Sequence, residues 1–268
     1  MAERTEATET NQEAEATRRR FGRAVYGAAA IALGIVGLLW GDFATVWQPV
    51  PEEVPYRKAL AYAAAALLLI SGIALQDRRT ARAGATAPML LYTIFALYWA
   101  KRVYLFPQLF GTWSGCAEQL ALVLAAIVIW RAPAGERSDG TSRAIRACRI
   151  AFGLCVVSFG VAHFTAIPQT AAMVPPWLPP SQPFWAVATG IAHLLAGIAL
   201  ISGILAPLAS RLLTAMFVLF GALVWAPSIF QDAGNHIVWG GNAINLALIG
   251  AAWVFADALQ RQRPRTQR

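Results

Sequence analysis

Residues 113–120 read Trp113-Ser114-Gly115-Cys116-Ala117-Glu118-Gln119-Leu120, and residues 239–246 read Trp239-Gly240-Gly241-Asn242-Ala243-Ile244-Asn245-Leu246. The stretches share Trp, Gly, Ala and Leu at matching places and carry an amide, Gln119 or Asn245, at the seventh, all 126 residues apart. The same offset pairs Gly27 with Gly153, Gly34 with Gly160, and Trp99-Ala100 with Trp225-Ala226. Gly72-Ile73-Ala74-Leu75 recurs as Gly197-Ile198-Ala199-Leu200, 125 residues on. Apolar composition alone yields scattered alanine and leucine matches. It does not align tryptophans and glycines at one offset, so the chain reads as a duplicated unit.

Working outward from these stretches, the solvent comes next. The 268 residues are 57% hydrophobic and 13% charged, with mean hydropathy +0.51. Soluble domains carry about 25% charged residues. So few charges cannot cover a water-soluble globule of this size, and the apolar excess faces a lipid bilayer. Eight apolar runs begin near Phe21, Ala59, Thr86, Trp113, Ile150, Phe184, Leu212 and Val238. They end near Trp40, Leu75, Leu105, Trp130, Ile167, Leu205, Phe230 and Leu259. Each holds roughly 17–22 residues, enough to cross about 30 Å of hydrocarbon as a helix. A β-barrel would alternate polarity with period two, and no run does so. The expected fold is all-α: a polytopic membrane helix bundle of eight transmembrane helices, arranged as two parallel four-helix repeats.

Loop charge sets the expected topology. Arginines gather at 18–20, at Arg78, Arg79 and Arg82, between Arg131 and Arg149, at Arg211, and at Arg261 to Arg268. The intervening loops are poor in them: residues 166–183 hold none. The positive-inside rule then puts both termini in the cytoplasm of a cell whose inner membrane the chain spans. Trp40, Trp47, Trp113, Trp177 and Trp239 fall near the expected interfaces. Residues 1–20 read as a disordered cytoplasmic tail preceding a retained first helix, because the apolar run after Arg20 is too long for a cleavable signal. The first repeat then covers 21–130, a cytoplasmic linker 131–148, the second repeat 149–259, and a basic tail 260–268. The loops around Pro49, Pro51 and Pro55, and around Pro175, Pro176, Pro179 and Pro180, are both expected to fold back as short caps with a shared structural role.

The net charge of +8 does not mark a nucleic-acid protein, because the arginines sit in loops and form no stripe interleaved with aromatics. Cys116, Cys148 and Cys155 form no Cys-x-x-Cys and read as small buried hydrophobes, with no metal site. No Walker loop, dinucleotide fingerprint or Ser-His-Asp order is present.

Chemistry must then rest on the few polar groups within the runs, because an ionisable group at mid-membrane costs about 2.5–3.5 kcal/mol on insertion scales. Glu118 near the outer end of the fourth run and Lys101 and Arg102 near that of the third lie at matching depths. They read as an ion pair joining the two helices, as a binding site for an anion or quinone headgroup, or as groups snorkelling separately to the interface. His193, near the middle of the sixth run, reads as a histidine bonded between helices, as a proton-relay or quinone contact, or as a haem ligand. His163 and His236 both read as lying near the outer side, which leaves a haem without an evident second ligand. Gln119, Asn242 and Asn245 read as amides bonding across helices, or as lining a polar cavity. Trp225-Ala226-Pro227 is expected to kink the end of the seventh run.

Three motifs of the second half carry a family resemblance: Gly160-Val161-Ala162-His163-Phe164, Val174-Pro175-Pro176-Trp177-Leu178-Pro179, and Thr189-Gly190-x-x-His193-x-x-x-Gly197-Ile198-Ala199-Leu200. They resemble the DoxX-like family of bacterial membrane proteins, over about Arg149–Asp257 and more weakly over about Arg23–Trp130. Members are four-helix units, which fits the repeat. Many have a Glu where His193 stands and a His near the place of Trp225, and the chain departs from them there. The resemblance implies a subunit or scaffold of a membrane redox-associated system, with a soluble or membrane oxidoreductase as partner. It leaves open a quinone-reactive membrane subunit, with quinone as cofactor, and the parallel repeat separately suggests a small-molecule transporter.

Overall fold

The computed structural model describes residues 21–44, 46–131 and 139–261. The expected tail at 1–20 falls outside them, as do residues 132–138 of the expected linker 131–148 and 262–268 of the expected tail 260–268; residues 139–148 of that linker are not a loop but the first turns of a long helix, Asp139–Thr165. Every regular element among the described residues is helical: α1 Phe21–Trp40, α2 Arg57–Ala74, α3 Ala81–Gly84, α4 Thr86–Leu105, α5 Phe110–Arg131, α6 Asp139–Thr165, α7 Ile167–Met173, α8 Gln182–Ser202 and α9 Ala206–Phe220. A π-helical turn, Gly221–Trp225, leads into α10 Ala226–Gln231, and α11 His236–Arg261 closes the order. Eight of these are long and apolar enough to cross a membrane when α3 is taken with α4 and α9 with α10. The chain is a multi-pass membrane protein, as its composition required.

Helices in lipid gain no hydrophobic stabilisation from meeting one another, so they pack where small residues let backbones come close. The glycines at the repeat offset do this. A Cβ on Gly72 would stand 2.5 Å from the Gly27 carbonyl oxygen, and one on Gly197 would stand 2.9 Å from that of Gly153. Those glycines join α1 to α2 and α6 to α8. Higher up, Gly34 packs on Leu69 and Gly160 on Leu194. Arg23 donates to the Gln76 carbonyl at the end of α2, and Arg149 to the Leu200 carbonyl at the end of α8. Each satisfies a carbonyl that a helix C-terminus leaves without an intrahelical donor. Trp113 and Trp239 each donate their indole N–H to the carbonyl six residues earlier, that of Pro107 and of Ala233. The local contacts of the two halves thus recur at 125–126 residues.

The helices form two rings that share α5 and α11. One ring runs α11, α1, α2, α4, α5; the other runs α5, α6, α8, α9, α11. Stacked rings clamp α1 to α11 at both ends, Trp40 on His236 at 5.1 Å and Phe21 on Trp253 at 5.5 Å. The first ring is filled. Tyr26 donates to the Leu122 carbonyl at 2.8 Å and meets Tyr92 edge-on, while Leu33 and Leu68 are buried beside them.

The two proline-rich loops do not share one role. The first buries Phe43, Ala44, Trp47 and Val50 and wedges between the rings. Trp47 accepts from the Trp99 indole through its carbonyl, packs edge-on to Trp225 at 5.8 Å, and lies against Gly240. Its counterpart forms α7 and leaves Trp177 69% exposed. The reason is local: Gly240 leaves room for the Trp47 ring, and Asp42 pairs with Arg57 to hold the first loop down.

Gly72→Ala should lower the thermal stability of the detergent-solubilised protein by about 1–3 kcal/mol, the usual cost of overpacking. Gly111→Ala, where an added Cβ meets nothing within 4 Å, should leave it unchanged or raise it slightly. Equal effects in a side-by-side melt would remove the close-approach account.

Candidate functional site

The second ring is built differently from the first. The sequences Gly160-Val161-Ala162-His163 on α6 and Gly190-Ile191-Ala192-His193 on α8 face each other on antiparallel helices. Gly190 has no side chain where one would meet His163: an added Cβ would lie 2.9 Å from the His163 Cβ. The imidazole of His163 therefore reaches across to His193, with ring centroids 4.9 Å apart and planes tilted by 37°. Phe159, Phe217 and Phe220 stand around His193 at 6.0, 5.8 and 6.1 Å. His193 is 2% exposed, while His163 and Thr189 are half-buried and form the approachable side.

The hydrogen bonds settle which ring nitrogen carries a proton. His193 Nδ1 lies 2.9 Å from the Thr189 carbonyl oxygen, and a carbonyl only accepts, so Nδ1–H donates. His163 Nδ1 lies 3.2 Å from the Ala186 carbonyl oxygen and donates for the same reason. It also lies 3.2 Å from the Thr189 hydroxyl, whose own proton goes to the Trp185 carbonyl at 2.7 Å. The Nε2 atoms of both rings meet no hydrogen-bonding partner among the described residues. In the first half the corresponding positions are Gly37 and Leu68, which carry no polar side chain.

A break follows α9 on one side of this ring, at Gly221–Trp225. Pro227 has no N–H, and its ring crowds the carbonyl four residues back. The helix widens just before it, and the Ala226 N–H donates to the Gly221 carbonyl, five residues back. Asn242 donates to the Trp225 carbonyl at 2.8 Å and Asn245 to the Phe217 carbonyl at 3.2 Å, so α11 grips α9 on both sides of the widened turn. The expected kink is thus a π turn held by two amides. Of the most apolar stretch of the α9–α10 span, 17% is buried, against 44% for the corresponding α3–α4 span. The α9–α10 span is thus the less buried of the two.

The singled-out residues therefore divide. His193, Asn242 and Asn245 belong to one neighbourhood around α9. Lys101 and Arg102 do not join it: both are exposed, and Arg102 lies 5.0 Å over the Trp99 ring. The expected ion pair with Glu118 does not form; among the described residues half-buried Glu118 has neither a hydrogen bond nor an ion pair. The long basic side chains instead reach outward to the interface. Gln119 is fully buried, and neither atom of its amide finds a partner, whereas Asn245 at the same repeat position bonds across helices. His193 is bonded within its own helix rather than between helices. His163, read from sequence as lying apart at the outer side, is its neighbour. The Gly-x-Ala-His spacing on both helices was the available signal for that pairing. Among the described residues no group of three or more His, Cys, Asp or Glu could hold a metal ion.

Two imidazoles and three phenylalanine rings thus gather within one span of the second half. Fold and site together define a multi-pass membrane protein with a polar niche in its second half. Residues 144–227 match the DoxX family model. The match holds His163, Thr189, His193 and the π turn, and ends at Pro227. No curated protein matches the chain, and no solved structure does.

Gln119→Leu should raise the melting temperature, because a buried amide without a partner costs about 1–3 kcal/mol. Asn245→Leu should lower it by about 0.6–2 kcal/mol, the worth of an interhelical amide bond in a membrane. A drop for both variants would show that Gln119 has a partner after all.

Proposed function

We propose that this chain is a DoxX-like subunit of a redox-associated system in the inner membrane, and that its second half holds a quinone-class ring against His163 and His193. The single observation that carries the reading is the imidazole pair at 4.9 Å, walled by phenylalanines, where the first half has Gly37 and Leu68. The two halves are taken as copies of one four-helix unit, spanning 21–130 and 149–259, in parallel orientation with both termini cytoplasmic. The copies divide the work: the first, whose ring is filled, is the scaffold, and the second holds the ligand. A soluble or membrane oxidoreductase docking on the assembly would supply or remove the electrons, because the described residues offer no metal cluster of their own. The scaffold reading and the quinone reading thus apply to different halves of one chain.

The test is binding to the purified protein in nanodiscs. A short-chain ubiquinone analogue, offered as either redox form, should quench tryptophan fluorescence saturably, since Trp185 lies one turn from Thr189 on α8 and accepts its hydroxyl proton. His193→Leu, which installs the residue of the first half, should lose at least tenfold in affinity. Unchanged binding in that variant would place the ligand elsewhere. Reporter fusions at each end should both read cytoplasmic; opposite readings would overturn the parallel arrangement.

A further inference from the structure

The hydrogen-bond directions at the histidine pair decide what kind of ligand atom they accept. Each imidazole has committed its only N–H, on Nδ1, to a backbone carbonyl: His193 to Thr189 and His163 to Ala186. Both Nε2 atoms then present lone pairs. The one hydroxyl at the pair, that of Thr189, has given its proton to Trp185. No hydrogen bond runs between the two rings, so neither supplies the other with a proton. Of the amides on α11, Asn242 donates to the Trp225 and Val238 carbonyls, and Asn245 gives one N–H to the Phe217 carbonyl. The walls are Phe159, Phe217 and Phe220, which donate nothing. At the pair itself, the two imidazoles and Thr189 thus offer acceptors and no free donor.

A quinone and its quinol share a ring but differ in hydrogen-bonding sense. The dione has carbonyl oxygens that only accept; the diol has hydroxyls that donate. In a buried site, an acceptor facing an acceptor leaves two polar atoms unpaired, whereas hydroxyl to Nε2 pairs both. Sites built to pair a ligand hydroxyl reject the analogue lacking it far more strongly than apolar pockets reject a change of size. Resting on the quinone-class reading above, we infer that the His163–His193 niche binds the reduced, dihydroxy form of the ring in preference to the oxidised form. Half-buried His163 receives the hydroxyl first, and enclosed His193 holds the second acceptor behind it.

The experiment uses three probes on the wild-type full chain in nanodiscs, under anaerobic conditions: a short-chain ubiquinol, the matching ubiquinone, and the ubiquinol with both hydroxyls methylated. The third keeps the ring and removes the donors. Affinities are read by tryptophan quenching and checked by calorimetry. The quinol is expected to bind at least tenfold more tightly than either other probe. His163→Leu, at the half-buried edge of the niche, should bring the three affinities together. If the quinone binds as well as the quinol or better, the donor preference is wrong while the quinone-class site stands. If the methylated probe matches the quinol, apolar contact alone holds the ring and the preference is likewise wrong. If none of the three binds, the site reading itself falls.

Discussion

Everything in this fold depends on backbone meeting backbone at glycine. In water, apolar side chains would drive α1 onto α2 and α6 onto α8. In lipid that drive is missing, and what remains is close contact plus the need to satisfy polar groups internally. Gly27 against Gly72 and Gly153 against Gly197 supply the contact. Arg23 and Arg149 supply the polar closure at the far end of the same helix pairs, donating to carbonyls that a helix end leaves open. The histidine pair follows from the same rule applied about two turns further along each helix: Gly160 and Gly190 keep α6 and α8 close enough for one imidazole to reach the other.

The arrangement of helices adds a second constraint. Because α5 and α11 serve both rings, each half contributes its last helix to the other half's ring. The rings are therefore not independent, and the first outer loop exploits their junction. Trp47 lies between Trp99 and Trp225, which occupy the same place in the two halves, and only one loop can take that position. The second loop is left to form α7 and an exposed Trp177 on the tryptophan-rich face. Sequence matches at one offset need not give a symmetric structure when two loops compete for one space.

Much of this was legible in the sequence, and the limits have physical causes. Run length and hydropathy fixed eight spans, because the bilayer demands about twenty apolar residues each time. The offset of Trp and Gly fixed which helices correspond. The amides Asn242 and Asn245 were rightly read as bonding across helices. The reading of Glu118 with Lys101 and Arg102 failed because matching depth does not bring side chains to the same azimuth, and long basic stems turn outward wherever headgroups are in reach. Gln119 failed for a related reason: an amide shares its position with Asn245, yet its longer side chain finds no carbonyl. The partner of His193 was missed because His163 was placed by depth alone, when the Gly-x-Ala-His spacing on facing helices carried the information.

The asymmetry between the rings is where structure turns into function. A membrane bundle has no solvent to stabilise an open polar niche, so a niche persists only where something interrupts close packing. Here Pro227 supplies the interruption: it forces the π turn, and the turn leaves α9 the least buried span of the eight. Asn242 and Asn245 then keep the loosened helix from drifting, by holding the carbonyls on either side. The first half has Arg102 one residue past the position that matches Pro227, and its helix continues regularly past Trp99. One proline, two amides and two Gly-x-Ala-His segments thus separate a helix bundle that only packs from one that presents paired basic nitrogens within the span of the membrane.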